Sequence, residues 1–170
     1  MEATMTEYGN IKNILLVEDD PHDVELTLEA LEGHRLAGKV AVVCDGEQAL
    51  DYLYRRGEFE MRGGGDPILV LLDLKMPKVN GMEVLMTMKA DAHLKTIPVV
   101  ILSSSREPGD LAECYKHGVN AYVVKPVNFA EFMDTVKQLG IFWTAINQPP
   151  PLAAREATWS SKWESSFSRK

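Results

Sequence analysis

The sequence predicts an α/β domain in which five parallel strands form one sheet, doubly wound by helices on its two faces. Two observations predict it. Apolar runs of strand length recur at Ile14 to Val17, Val40 to Val43, Ile68 to Leu72, Val99 to Leu102 and Ala121 to Val124. Each is followed by a helical pattern, and strict βα alternation requires right-handed crossovers that lay helices over the sheet. The strands are also apolar almost without interruption, as two-sided burial demands.

The elements follow in order. After the first strand, Asp20 and Pro21 read as an N-cap and first helical residue, with Val24, Leu28 and Leu31 on one face and Glu32-Gly33 as the close. Asp45 and Gly46 open a second helix that turns Ala49, Leu50 and Leu53 inward and ends at Gly57. Gly81 to Met88 and Glu107 to Lys116 form the third and fourth, the latter stopped by Gly118. Asn128 caps a fifth, with the stripe Phe129, Phe132, Met133, Val136 and Leu139. Between the second helix and third strand, Gly57 to Pro67 reads as a long exposed loop. Gly140 precedes Ile141, Phe142, Trp143 and Ile146, after which Pro149, Pro150 and Pro151 stop any helix. Trp159, Trp163 and Phe167 then recur at intervals of four, which would set three aromatics on one helical face. The chain divides into an arm over 1–10, a domain over 11–147 and a tail over 148–170 that could dimerise, dock or remain disordered.

Composition excludes several functions. A formal charge of -7 argues against a phosphate-coating surface, so nucleic acid is not an expected partner. No apolar stretch approaches the roughly 20 residues that span a bilayer, and Met1 to Asn10 is too polar for a signal peptide, so the reading is cytoplasmic and without a membrane partner. Cys44 and Cys114 form no CxxC or Cys/His pattern and read as free thiols.

Chemistry is expected at the carboxyl ends of the strands, where open α/β sheets bind ligands. The first strand runs into Glu18 and Asp19, the third into Asp73, the fifth into Lys125. Three converging carboxylates either raise one another's pKa or recruit a cation, and an all-oxygen site that keeps water suits magnesium. Asp20 reads as a helix cap rather than a ligand.

Four motifs in order carry a resemblance over about positions 11 to 140: Val-Glu18-Asp19-Asp20-Pro, Leu-Leu-Asp73-Leu-Lys-Met-Pro77 with Gly81 following, Pro98 to Ser103, and Tyr122-Val-Val-Lys125-Pro126. The chain resembles a response-regulator receiver domain. That resemblance implies a flavodoxin-like (βα)5 fold with strand order 2-1-3-4-5. It implies that Asp73 accepts a phosphoryl group from a kinase histidine, and that Mg2+ is bound by Asp19 and Asp73, by Glu18 through water and by the backbone carbonyl of Lys75. Lys125 and Ser103, with the backbone at Ser104, would then hold the phosphoryl oxygens. Ser103 and Tyr122 would act as the switch, Tyr122 swinging inward after phosphorylation, with the fourth helix, fifth strand and fifth helix as the readout surface. A rival covalent-aspartate chemistry, that of haloacid-dehalogenase-like phosphatases, needs a second Asp where this chain has Lys75, so the protein is read as a phosphoacceptor that supports only its own phosphorylation and dephosphorylation. About 30 residues follow the fifth helix, which makes the reading a single-domain regulator. Within the family, the Tyr54-Arg-Arg-Gly-Glu-Phe region and the ending Phe142-Trp143 to Pro151 look like regulators paired with bacterial phytochrome histidine kinases, which are expected to be homodimers through the carboxy-terminal face. The alternative is a receiver-shaped interaction scaffold that works through its tail without phosphate.

Overall fold

A computed structural model describes residues 13–33 and 39–150. The arm over 1–10 and the aromatics Trp159, Trp163 and Phe167 lie outside the described residues. The chain runs β1 (Ile14–Val17), α1 (Pro21–Glu32), β2 (Val40–Val43), α2 (Gly46–Tyr54), β3 (Leu69–Leu72), α3 (Gly81–Ala90), β4 (Val99–Ser103), α4 (Pro108–Lys116), β5 (Ala121–Val124) and α5 (Phe129–Ile141). All strand pairs are parallel, in the order β2-β1-β3-β4-β5.

Alternation along the strands sorts the core into two layers. Leu15, Val17, Val70, Leu72, Val99 and Ile101 face Ala49 and Leu53 of α2, Val84 and Met88 of α3 and Cys114 of α4. Ile14, Leu16, Leu69, Leu71, Val100 and Leu102 face Ala30 and Leu31 of α1 and Phe132 and Val136 of α5. The three inner strands are wholly buried, and each side chain so enclosed contributes about 1.5–3 kcal/mol. Two-sided burial fails at the edges: β2 and β5 are only partly covered, because each has a neighbour on one side alone.

Several boundaries differ from the sequence reading. In α1 the fully buried positions are Thr27, Ala30 and Leu31, while Val24 and Leu28 are half-buried. Gly57 does not end α2; Arg55 does, in the left-handed conformation at φ 53°. That conformation is unusual without glycine, and the Arg55 side chain compensates by donating to the carbonyls of Arg62 and Gly64 at 3.0 and 2.7 Å. The 57–67 segment is consequently a folded connection, with a short 3-10 turn at Gly57–Phe59 and Arg62 stacked 4.1 Å over the Tyr52 ring. Asp66 anchors its far end on His93 at 2.7 Å. Phe129 does not join the α5 stripe but stands 55 % exposed. Gly140 is buried inside the helix, which continues past Ile141 as one π turn, Phe142–Ile146. Among the described residues no helix is long and apolar enough to cross a membrane.

Candidate functional site

Register builds the site. Val17 of β1 lies level with Leu72 of β3, so the next residues, Glu18 and Asp73, emerge side by side at the carboxyl edge. The backbone locks them there: Asp73 N–H donates to the Val17 carbonyl and Glu18 N–H to that of Val43, each at 3.1 Å. Asp19 follows, exposed, where the chain turns into α1. Ser103 ends β4 level with Val124, and the next residue, Lys125, donates its N–H to the Ser103 carbonyl at 2.8 Å. The loop after β3 is held by Gly81, whose N–H donates to the Leu74 carbonyl at 2.9 Å. A Cβ there would collide with the Asp73 backbone, so only glycine lets α3 start this close.

Carboxylate oxygens of Glu18, Asp19 and Asp73 lie within 4.8 Å of one another. An all-carboxylate set open to water at Asp19 fits a hard divalent cation. Above it sits the Lys125 ammonium, 2.6 Å from Glu18 Oε2, 2.7 Å from Asp23 Oδ2 and 3.4 Å from Asp73 Oδ2. Burial works to lower the Lys125 pKa, but the hydrogen bonds to Asp23 and Glu18 and the charge of Asp73 outweigh it and hold the ammonium charged. Burial also drives the Glu18 carboxyl upward, against the pull of Lys125 and with the help of the Asp73 charge. One cation among four acids, Glu18, Asp19, Asp23 and Asp73, leaves the pocket net negative, which favours a further cation.

Behind the pocket, Ser103 is fully buried, and its hydroxyl accepts from the Ser105 N–H at 3.2 Å. Tyr122 packs half-buried against the core layer shared by α2, α3 and α4 and donates its hydroxyl to the Ser105 carbonyl at 3.0 Å.

The fold brings Glu18, Asp19, Asp73, Ser103 and Lys125 together at one edge, with Lys75 exposed in the loop two residues beyond Asp73. Asp20 is a cap, its Oδ1 accepting from the His22 and Asp23 N–H groups. Sequence reasoning missed Asp23. In one sequence it reads as an ordinary first-turn acid, and nothing local links it to a lysine 102 positions away. It also missed Ser105, whose hydroxyl donates to Asp110 on α4.

A doubly wound sheet with an acidic, lysine-topped pocket at its switch point is the architecture of a phosphoryl-accepting signalling module. The chain belongs to the response regulator receiver domain family, whose sequence profile matches residues 14–137. Two curated relatives are similar over most of their length. The probable methanogenesis regulatory protein FilR2 of Methanothrix harundinacea is 40% identical over 81% of this chain and 86% of its own. Response regulator Rcp1 of Synechocystis is 37% identical over 78% of this chain and 88% of its own. Among solved structures, the phosphorylated cyanobacterial phytochrome response regulator RcpA has 39% identity and a TM-score of 0.78, covering 82% of this chain and 99% of that one. The Mn(2+)-bound form of Rcp1 has 36% identity and a TM-score of 0.77, with the same coverage. The bacteriophytochrome response regulator RtBRR is 52% identical, with a TM-score of 0.65 over 90% of this chain and 95% of that one.

Proposed function

We propose that this receiver accepts a phosphoryl group on Asp73 from a histidine kinase, in a magnesium-dependent reaction, and that phosphorylation switches the α4-β5-α5 surface or a dimer built on it. The observation that carries this reading is the cluster of Glu18, Asp19 and Asp73 oxygens within 4.8 Å, with the Lys125 ammonium 3.4 Å from Asp73. An Asp73 carboxylate oxygen attacks phosphorus; the new P–O bond forms as the P–N bond of the phosphohistidine breaks, and the electron pair returns to the imidazole nitrogen. Lys125 and the Ser103 hydroxyl take up charge on the phosphoryl oxygens, with the Ser104 backbone beside them. When bound by Asp19, Asp73, the Lys75 carbonyl and, through water, Glu18, magnesium supplies the remaining positive charge. The same groups support hydrolysis of the acyl phosphate and no other turnover.

Similarity to phytochrome response regulators supports a bacteriophytochrome histidine kinase as the donor. Exposed Phe142 and Ile146 at the end of α5 support a homodimer through the carboxy-terminal face. The absence of a membrane-crossing helix among the described residues agrees with a cytoplasmic site of action.

Sedimentation with magnesium, with and without beryllofluoride as a phosphoryl mimic, tests the reading. A mimic-dependent change in assembly that Asp73→Asn abolishes supports the switch. A constant dimer that binds the mimic places the signal on a partner surface, and no binding leaves the scaffold reading.

A further inference from the structure

Asp23 stands in the first turn of α1, and its backbone is committed to the helix: its N–H donates to Asp20 Oδ1 at 3.2 Å and its carbonyl accepts from Thr27 Oγ1 at 2.7 Å. Its carboxylate is what leaves the helix and crosses to Lys125 at 2.7 Å. An ammonium has three protons to give. Glu18 at 2.6 Å and Asp23 at 2.7 Å receive theirs at charge-assisted length, whereas Asp73 at 3.4 Å receives the weakest. The two strong partners differ in exposure, the Glu18 side chain being 4% and the Asp23 side chain 27% accessible. Asp23 is therefore the partner that water can resolvate when Lys125 departs, and Glu18 is not.

We propose that Asp23 is a positioning residue that parks the Lys125 ammonium off the Asp73 carboxylate and then competes with the phosphoryl group for it. The inference rests on Asp73 being the phosphoacceptor. Before transfer, Asp73 holds the longest of the three Lys125 ion pairs, at 3.4 Å, so its carboxylate stays more nucleophilic than it would with the ammonium drawn close. After transfer, the phosphoryl oxygens must draw Lys125 away from Asp23, so α1 takes part in setting how readily the phosphorylated state forms. The pocket beside this ion pair, about 330 Å3 and lined by His22, Asp23, Ser104 and Lys125 among others, leaves the ammonium room to move.

The test is the half-saturating concentration of beryllofluoride in the presence of magnesium, followed by fluorine NMR, for four proteins: wild type, Asp23→Asn, Lys125→Gln and the double variant. Asn is isosteric and keeps the helix backbone intact. Asp23→Asn is expected to bind about two- to fivefold more tightly, the range set by a partly exposed ion pair. The same substitution is expected to change nothing in the Lys125→Gln background. Equal or weaker binding by Asp23→Asn overturns the inference, as does equal tightening in both backgrounds, which would make Asp23 a diffuse charge rather than a partner of Lys125. A wild-type protein that binds no beryllofluoride overturns the phosphoacceptor reading as well.

Discussion

The Tyr122 hydroxyl donates to the backbone carbonyl of Ser105 at 3.0 Å, across 17 positions of sequence. Ser105 also donates its N–H to Ser103 Oγ at 3.2 Å and its hydroxyl to Asp110 in the first turn of α4. One loop residue thus hydrogen-bonds Ser103 of β4, the β5 aromatic and α4. Burial lifts the Tyr122 pKa above its ordinary value, which keeps the hydroxyl a donor at neutral pH.

Tyr122→Phe keeps the ring packing and removes this one bond. The expected cost is about 1 kcal/mol, read from urea denaturation, and beryllofluoride should then perturb α4 less than in wild type. An unchanged α4 response in hydrogen exchange would place the coupling elsewhere.

The edge strands, the π turn and the Arg55 cap escaped the sequence for a shared reason. Period and composition identify an apolar strand, but exposure at β2 and β5 depends on which strand lies at the margin, and strand order came only with the family resemblance. Asp73, Glu18 and Lys125 were legible because each directly follows an apolar strand, so the fold alone delivers them to one edge. Asp23 and Ser105 were not, because their partners are set by tertiary packing. Gly140 lies buried inside α5, and that burial is set by tertiary packing rather than by local sequence.

Gly81 and Gly109 separate packing from propensity. Gly81→Ala forces the Asp73 backbone to move, and overpacking of that kind costs about 1–3 kcal/mol. A Cβ added at Gly109 in α4 would meet nothing within 4 Å, so Gly109→Ala should be neutral or stabilise by up to about 1 kcal/mol. Thermal melts of the two variants compare them directly, and beryllofluoride affinity should fall only in Gly81→Ala.

Lys125→Gln leaves the buried Glu18 and Asp73 carboxylates without their cation. Removing one member of such a cluster costs about 3–5 kcal/mol. Magnesium should restore more stability to this variant than it adds to wild type, where Lys125 already occupies the acids. Equal increments of melting temperature on adding magnesium would show that lysine and metal do not share these carboxylates.

The two thiols should differ in reactivity. Cys44 is exposed and Cys114 buried, and burial, followed by the charges of Asp110 and Glu113, pushes the Cys114 thiol up to about 11. Only the thiolate reacts, so an aromatic disulfide reagent at mildly alkaline pH should titrate one thiol quickly and the second only on unfolding. Raising the pH toward the Cys114 pKa should speed the slow phase.

The most direct measurement is incorporation of phosphoryl from a small donor such as phosphoramidate, with the modified residue located by mass spectrometry after borohydride reduction of the acyl phosphate. One phosphoryl group per chain is expected, on Asp73, formed only with magnesium and absent from Asp73→Asn. Incorporation that ignores magnesium, falls on another residue or survives Asp73→Asn would contradict it.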